Sequence, residues 1–407
     1  MRVTPRRPAH LATSGQLDAA YPFMAEPGLG GRGVYVGRDV YRGSAFCYDP
    51  WVLYERGLLT GPSAIVCGQV GRGKSALVKT YLARQAALGR RAVVIDPKGE
   101  YGALAEWFGA RPVRLVPGGR VRLNPLDSVA GPESRLALLA AVLGAGLGRS
   151  LRPAEHTALD LALRGSSGGR PPTLASVASA LLQPDAEAAR SVAMTRRDLT
   201  DAGRDCALEL RRLCEGDLRG MFDGRTSGDV DLDAPVVVLD LSALHGSPAL
   251  GILMVCVAAW LEGALRGGDG TKRIVVIDEG WAVLSNPASA AFLQRSWKLA
   301  RSYGVQNVLV VHRLSDLTAA ADEGSRGRGI AEGLLADSET RIILGQPPGE
   351  LDAARRLIGL TGVECDHVAS LPRGVALWKV GGRSYLVEHR LSPDEVALVD
   401  TDAAMRD

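Results

Sequence analysis

From Ser63 onward, short uninterrupted apolar runs alternate with longer stretches in which apolar residues recur every three to four positions. The short runs read as strands buried on both faces, the longer stretches as helices covering them. The runs are IVCG (65–68), AVVID (92–96), VRLV (113–116), VVVLDLS (236–242), RIVVID (273–278), NVLVVH (307–312) and TRIILGQ (340–346). GVALWKV and RSYLVEH, flanking Gly381 and Gly382, predict a terminal hairpin. In SALVKTYLARQAAL, Leu77, Val78, Tyr81, Leu82 and Gln85 share one face of a helix. The expected fold is α/β, with a mostly parallel central sheet.

Two regions break the alternation. Residues 1–60 are rich in Gly, Pro and aromatic residues, with strand-like pieces RGVYVGRDV and SAFCYDPWVLY, and read as a lead-in layer. Residues 127–225 carry only helical periodicity, as in ESRLALLAAVLGAGL and DCALELRRLCEGDL, and read as an all-helical insert. The core is then expected in residues 61–126 and 226–407. The longest uncharged apolar run, Gly246–Leu261, is too short for a comfortable membrane span and predicts a buried core helix.

At 407 residues and 46% hydrophobic, the chain can bury a large core. Its 48 basic and 45 acidic residues give a net charge of +3, no electrostatic case for bulk nucleic-acid binding. The stretch Arg149–Arg225 holds 12 basic and 11 acidic residues, so the insert reads as a lid or subunit contact rather than a nucleic-acid clamp. The six cysteines form no metal-ligand spacing and are expected to be reduced thiols. The N-terminus has positive charge but no apolar stretch behind it, so no secretory signal is expected and the chain reads as cytoplasmic.

The chemistry enters with GQVGRGKS, Gly68–Ser75, which fits a phosphate-binding loop between a strand and a helix. Gly68, Gln69, Val70, Gly71, Arg72, Gly73, Lys74, Ser75 and Ala76 are the expected nucleotide contacts. The glycines let consecutive N–H groups turn toward phosphate, and the helix N-terminus adds partial positive charge. Lys74 is expected on the β- and γ-phosphates of ATP and the Ser75 hydroxyl on Mg²⁺. RIVVIDEGW then ends an apolar strand in Asp278, expected on the metal, and Glu279, expected to activate water. A helix cap is the competing reading of that acidic pair.

Motifs in sequence order extend this. DPKGEY (96–101), RLNPLD (122–127), DEGW (278–281) and KLARSYGVQNVLVVHRLSDL (298–317) resemble the type IV secretion and conjugative-transfer ATPases of the FtsK and HerA superfamily. The similarity runs from about Phe46 to Asp402, closest to the C-terminal motor domain of the cytoplasmic secretion ATPase, with the DNA-feeding coupling proteins second. The resemblance implies a RecA-like core and Lys74, Ser75, Asp278 and Glu279 in the roles above. The family usually has Thr-Gln as a γ-phosphate sensor where this chain has Val311 and His312; a neutral His can donate one hydrogen bond as Gln does, or the residue is structural. Lys298 and Arg301, three apart on one expected helix, match basic positions that reach a neighbouring subunit's nucleotide, or else form a solvated face. Asp96, Lys98 and Glu100 are expected at the exit of the strand next to the phosphate loop, with a structural role open.

The function implied is Mg²⁺-dependent ATP hydrolysis driving transfer of DNA or protein. It would be carried out by a homo-oligomeric ring, a hexamer, at the inner face of the cell membrane beside membrane-anchored partners. Full members carry a large N-terminal docking domain, whereas 67 residues precede Gly68 here, so docking is expected to be missing or to belong to another chain. A DNA-pumping motor without a secretion channel, and a nucleotide-binding scaffold that barely hydrolyses, stay open as alternatives.

Overall fold

The computed structural model describes residues 28–399, except 128–130, 167–170, 217, 228–229, 248, 266–269, 285–289, 291–292, 295–296, 299–300, 314 and 316–325. The apolar runs form one sheet. Its strands are β1 (Val34–Asp39), β2 (Ala45–Tyr48), β3 (Ala64–Cys67), β4 (Arg91–Asp96), β5 (Val113–Arg114) and β6 (Val236–Asp240), then β7 (Arg273–Ile277), β8 (Val305–Val311), β9 (Thr340–Leu344), β10 (Val375–Val380) and β11 (Arg383–His389). They lie in the order β2-β1-β11-β10-β9-β3-β8-β7-β4-β6-β5. From β9 to β5 all neighbours are parallel, whereas β10, β11, β1 and β2 extend the sheet antiparallel.

Successive residues of the parallel strands point to opposite buried faces, which is why these strands read as unbroken apolar runs. Ile65, Ile95, Ile277 and Leu309 pack on one side with Leu138, Val142 and Leu253 of the helices Pro132–Leu147 and Leu250–Leu265. Val66, Val94, Val276 and Val308 pack on the other with Leu77, Val78 and Leu82 of the helix Lys74–Ala87. The apolar run after Gly246 is thus a core helix. Among the described residues no helix is long and apolar enough to cross a membrane.

Between β5 and β6 the described residues form five helices and no strand: Pro132–Leu147, Pro153–Gly165, Leu174–Leu182, Ala186–Ser191 and Arg196–Glu215. The last buries Leu199, Cys206, Leu210 and Leu213 along one stripe. Thr195 caps it: its hydroxyl accepts the Asp198 N–H (3.1 Å), and the Asp198 carboxylate accepts the Thr195 N–H (3.2 Å). These helices share one continuous core with the first face of the sheet.

Three expectations change. The N-terminal segment supplies strands to the main sheet rather than a separate layer, because β1 pairs with β11. WVLY does not extend the second strand. Pro50 opens a helix to Glu55, and Asp49 Oδ1 accepts the N–H groups of Trp51 (3.0 Å) and Val52 (3.1 Å), a cap stronger than the strand propensity of those side chains. Finally, β4 is not beside β3. The connection after the phosphate-loop helix skips two positions that β7 and β8 fill later, so β4 pairs with β7 and β6.

Candidate nucleotide site

Parallel strands end on a common edge, and the residues just past β3, β4, β7 and β8 gather there. Gly68 leaves β3 against β9; a Cβ on it would lie 2.7 Å from Leu344 Cβ, so only glycine fits. Gly73 ends the loop at φ +102°, and the helix begins at Lys74 with no side-chain cap. The first backbone bond of that helix is Leu77 N–H to Gly73 O (3.0 Å), so the amides of Lys74, Ser75 and Ala76 precede the ladder and are suited to an anion. The Lys74 ammonium lies inside the loop, donating to Gly68 O (2.6 Å) and Gln69 O (3.2 Å). Burial lowers its pKa, against the upward pull of Asp278. Val70 stands out at the exposed tip, and Arg72 leans away, its guanidinium 3.4 Å from Leu371 O.

Asp278 and Glu279 follow β7 in a turn stitched to both neighbouring strands: Asp278 N–H donates to Ile95 O (3.2 Å) and Gly280 N–H to Val310 O (3.0 Å). Asp278 is 4% exposed, and burial, with the charges of Glu279, Glu100 and Asp96 added, pushes its carboxyl up to about 7. Such a carboxylate lacks a full counter-charge. A divalent cation would supply one, so the donor set of Asp278 and the Ser75 hydroxyl fits Mg²⁺. Glu279 has φ +52°, a left-handed conformation that typically costs a non-glycine residue on the order of 1–3 kcal/mol.

Three donors hold the Glu279 carboxylate, two of them, Lys98 and His312, from distant parts of the chain and the third, Trp281, from its own turn. Oε1 is 2.5 Å from Lys98 Nζ and 2.5 Å from His312 Nε2, which lie 2.8 Å from each other. Oε2 accepts the Trp281 indole N–H. Burial would push this carboxyl up, but the bonds from His312, Lys98 and Trp281 outweigh it and hold it at about 2. His312 Nδ1 is buried with no partner among the described residues.

Lys98 belongs to the loop after β4. Asp96 builds that loop by accepting the N–H groups of Lys98 (3.2 Å), Gly99 (2.9 Å), Glu100 (3.2 Å) and Tyr101 (2.8 Å). From this frame Lys98 reaches Glu279, and Glu100 Oε2 accepts the Ser75 hydroxyl proton at 2.8 Å. One loop therefore touches both halves of the site, although two strands separate β4 from β3. Sequence reasoning assigned Lys98 and Glu100 no chemistry and passed over Trp281. The available signal was a strand-ending Asp followed by Lys at the second and Glu at the fourth position.

The remaining candidates lie apart. Lys298 is helical and exposed, 4.0 Å from Asp337. Arg301 begins a 3-10 turn, Arg301–Tyr303, and the stretch that would join it to Lys298 in one helix, residues 299–300, lies outside the described residues.

Fold and site together define a RecA-like P-loop NTPase architecture. No family model matches the chain. Among curated proteins it is 24% identical over 178 residues to the type IV secretion system protein CagE of Helicobacter pylori, covering 43% of this chain and 17% of that one. It is 23% identical over 304 residues to protein TraC of Escherichia coli strain K12, covering 72% of this chain and 33% of that one. The chain thus spans no more than a third of the length of these relatives. Among solved structures, VirB4 of Thermoanaerobacter pseudethanolicus superposes with a TM-score of 0.73 at 22% identity, over 90% of this chain and 98% of that one. The plasmid coupling protein TrwB in complex with the ATP analogue ADPNP gives 0.61 at 17% identity, over 96% of each chain. TrwB in complex with ADP and Mg²⁺ gives 0.60 at 16% identity, over 81% of this chain and 86% of that one. The resemblance to type IV secretion and conjugative-transfer ATPases is what these comparisons support.

Proposed function

We propose that the chain hydrolyses ATP with Mg²⁺ and uses the energy to move DNA or protein through a conjugation-type or type IV secretion-like machine. The observation that carries this reading is Glu279: a carboxylate one residue past buried Asp278, on the phosphate-loop edge of the sheet, with Lys98 and His312 both at 2.5 Å. In a scaffold that never hydrolyses, nothing would require a left-handed Glu held by three donors. Lys74 would exchange the carbonyls of Gly68 and Gln69 for phosphate oxygens. Ser75 and Asp278 would hold Mg²⁺, which neutralises charge on the transferring phosphoryl group. Glu279 would orient the attacking water and take its proton, which requires freeing one carboxylate oxygen from its present donors. His312, released from Glu279, would donate to the γ-phosphate.

The working unit is proposed to be a homo-oligomeric ring, a hexamer, on the cytoplasmic face of the membrane beside membrane-anchored secretion components. Lys298 or Arg301 would reach across its subunit contacts. One observation favours a weakly hydrolysing scaffold instead: both Glu279 oxygens are already occupied. Steady-state turnover beside nucleotide titrations separates the readings. Lys74→Ala should weaken binding and turnover together; Glu279→Gln should keep binding and lower turnover by on the order of 10²-fold or more. Unchanged turnover in Glu279→Gln would remove the carboxylate from the chemistry. Saturable binding without turnover in the wild type would favour the scaffold, and DNA-stimulated turnover of the isolated protein would favour a DNA-pumping motor.

A further inference from the structure

The contact between Ser75 and Glu100 joins the phosphate-loop helix to the loop after β4, and nothing in the chemistry above uses it. A serine hydroxyl has one proton and two acceptor lone pairs. Here the proton goes to Glu100 Oε2 at 2.8 Å, so the hydroxyl rotor is fixed and its lone pairs are left for a cation. Glu100 is itself fixed. Its N–H is bonded to Asp96 Oδ1 (3.2 Å), the next N–H to Asp96 Oδ2 (2.8 Å), and Gly99 holds φ +74°, where a Cβ would approach Ser242 Cβ to 3.3 Å. The carboxylate also adds negative charge where Asp278 is already buried.

We propose that Glu100 is a positioning residue for the nucleotide-bound Mg²⁺, orienting Ser75 as a ligand and adding charge from just outside the metal's shell. Carboxylates that hydrogen-bond a ligand in this way typically contribute about 10- to 100-fold to metal affinity. The inference rests on the Mg²⁺–ATP reading of the site. It also makes a prediction of opposite signs: a carboxylate beside the triphosphate attracts the metal but repels the bare nucleotide.

The test is binding of a fluorescent non-hydrolysable ATP analogue to the full chain, in EDTA and across a MgCl₂ titration. Glu100→Ala should raise the Mg²⁺ concentration for half-maximal effect by about 10- to 100-fold, while affinity in EDTA holds or increases. Glu100→Gln keeps an acceptor for Ser75 without the charge and should fall between Ala and wild type. Equal Mg²⁺ half-points in wild type and Glu100→Ala would overturn the proposal. So would a parallel loss of affinity in EDTA, which would mean that Glu100 only supports the loop. If the wild type binds the analogue with no response to Mg²⁺, the ATPase reading fails first and this inference falls with it.

Discussion

His389 ends β11 half-buried, with Nε2 2.8 Å from Thr80 Oγ1 on the phosphate-loop helix. Burial lowers its pKa from 6.5 to about 4, the nearby Arg84 charge adding to the effect and Glu395 opposing it. Because the folded value is depressed, the unfolded chain binds the proton more readily. The stability this neutral imidazole contributes is present above the unfolded pKa and is lost as pH falls from about 6.5 through about 4. At about 1.36 kcal/mol per unit the full effect is about 3 kcal/mol, of which about 2 kcal/mol should appear between about pH 7.5 and pH 5. His389→Gln replaces the imidazole with a group that does not titrate. Urea unfolding at about pH 7.5 and pH 5 should therefore show the wild type losing about 2 kcal/mol more than the variant over that interval, other carboxylates and histidines cancelling in the difference. An identical pH dependence in the two proteins would refute the reasoning, because it would mean that His389 is protonated in the folded state as readily as in the unfolded one.

Two further predictions concern the proposed hydrolysis. His312→Gln should retain turnover and His312→Ala should lose most of it in a steady-state assay, since an amide can replace one donated hydrogen bond and a methyl cannot; full activity in the Ala variant would make the residue structural. A trans arginine contributes on the order of 10³ to 10⁵ in rate, so mixing Arg301→Ala with Glu279→Gln subunits should partly restore turnover in rings that combine an intact Glu279 with a neighbour's Arg301. No rescue in mixtures shown to co-assemble would remove Arg301 from that role.

The parallel strands were legible because burial on both faces leaves an unbroken apolar run, and the phosphate loop because its glycines and Lys74 sit between such a run and a 3.6-periodic helix. Strand order was not legible. An apolar run such as Ala92–Ile95 looks the same wherever it is placed in a sheet, so nothing local says that β4 abuts β7 rather than β3. That is why Lys98 and His312 could not be seen converging on Glu279: they come from the ends of β4 and β8, the strands on either side of β7, whereas Trp281 lies in the same turn as Glu279. The helix at Pro50 escaped for a different reason. Trp51, Val52, Leu53 and Tyr54 favour a strand by side chain, while Asp49 and Pro50 carry the overriding helix-start signal.

The pairing of β1 with β11 has a consequence for how the chain is made. Gly37 lies opposite His389, so a strand emerging early from the ribosome must wait for a partner translated roughly 350 residues later. Meanwhile β1 and β2 are a two-stranded ribbon, marginal in water on their own, carrying Val34, Val36 and Phe46 that end up buried. β11 has the converse problem: once β10 has joined β9, its outer edge is an open row of hydrogen-bonding groups until β1 arrives. Sheet closure is thus a late, long-range step of biosynthesis, and chaperone demand should be concentrated in the interval before it.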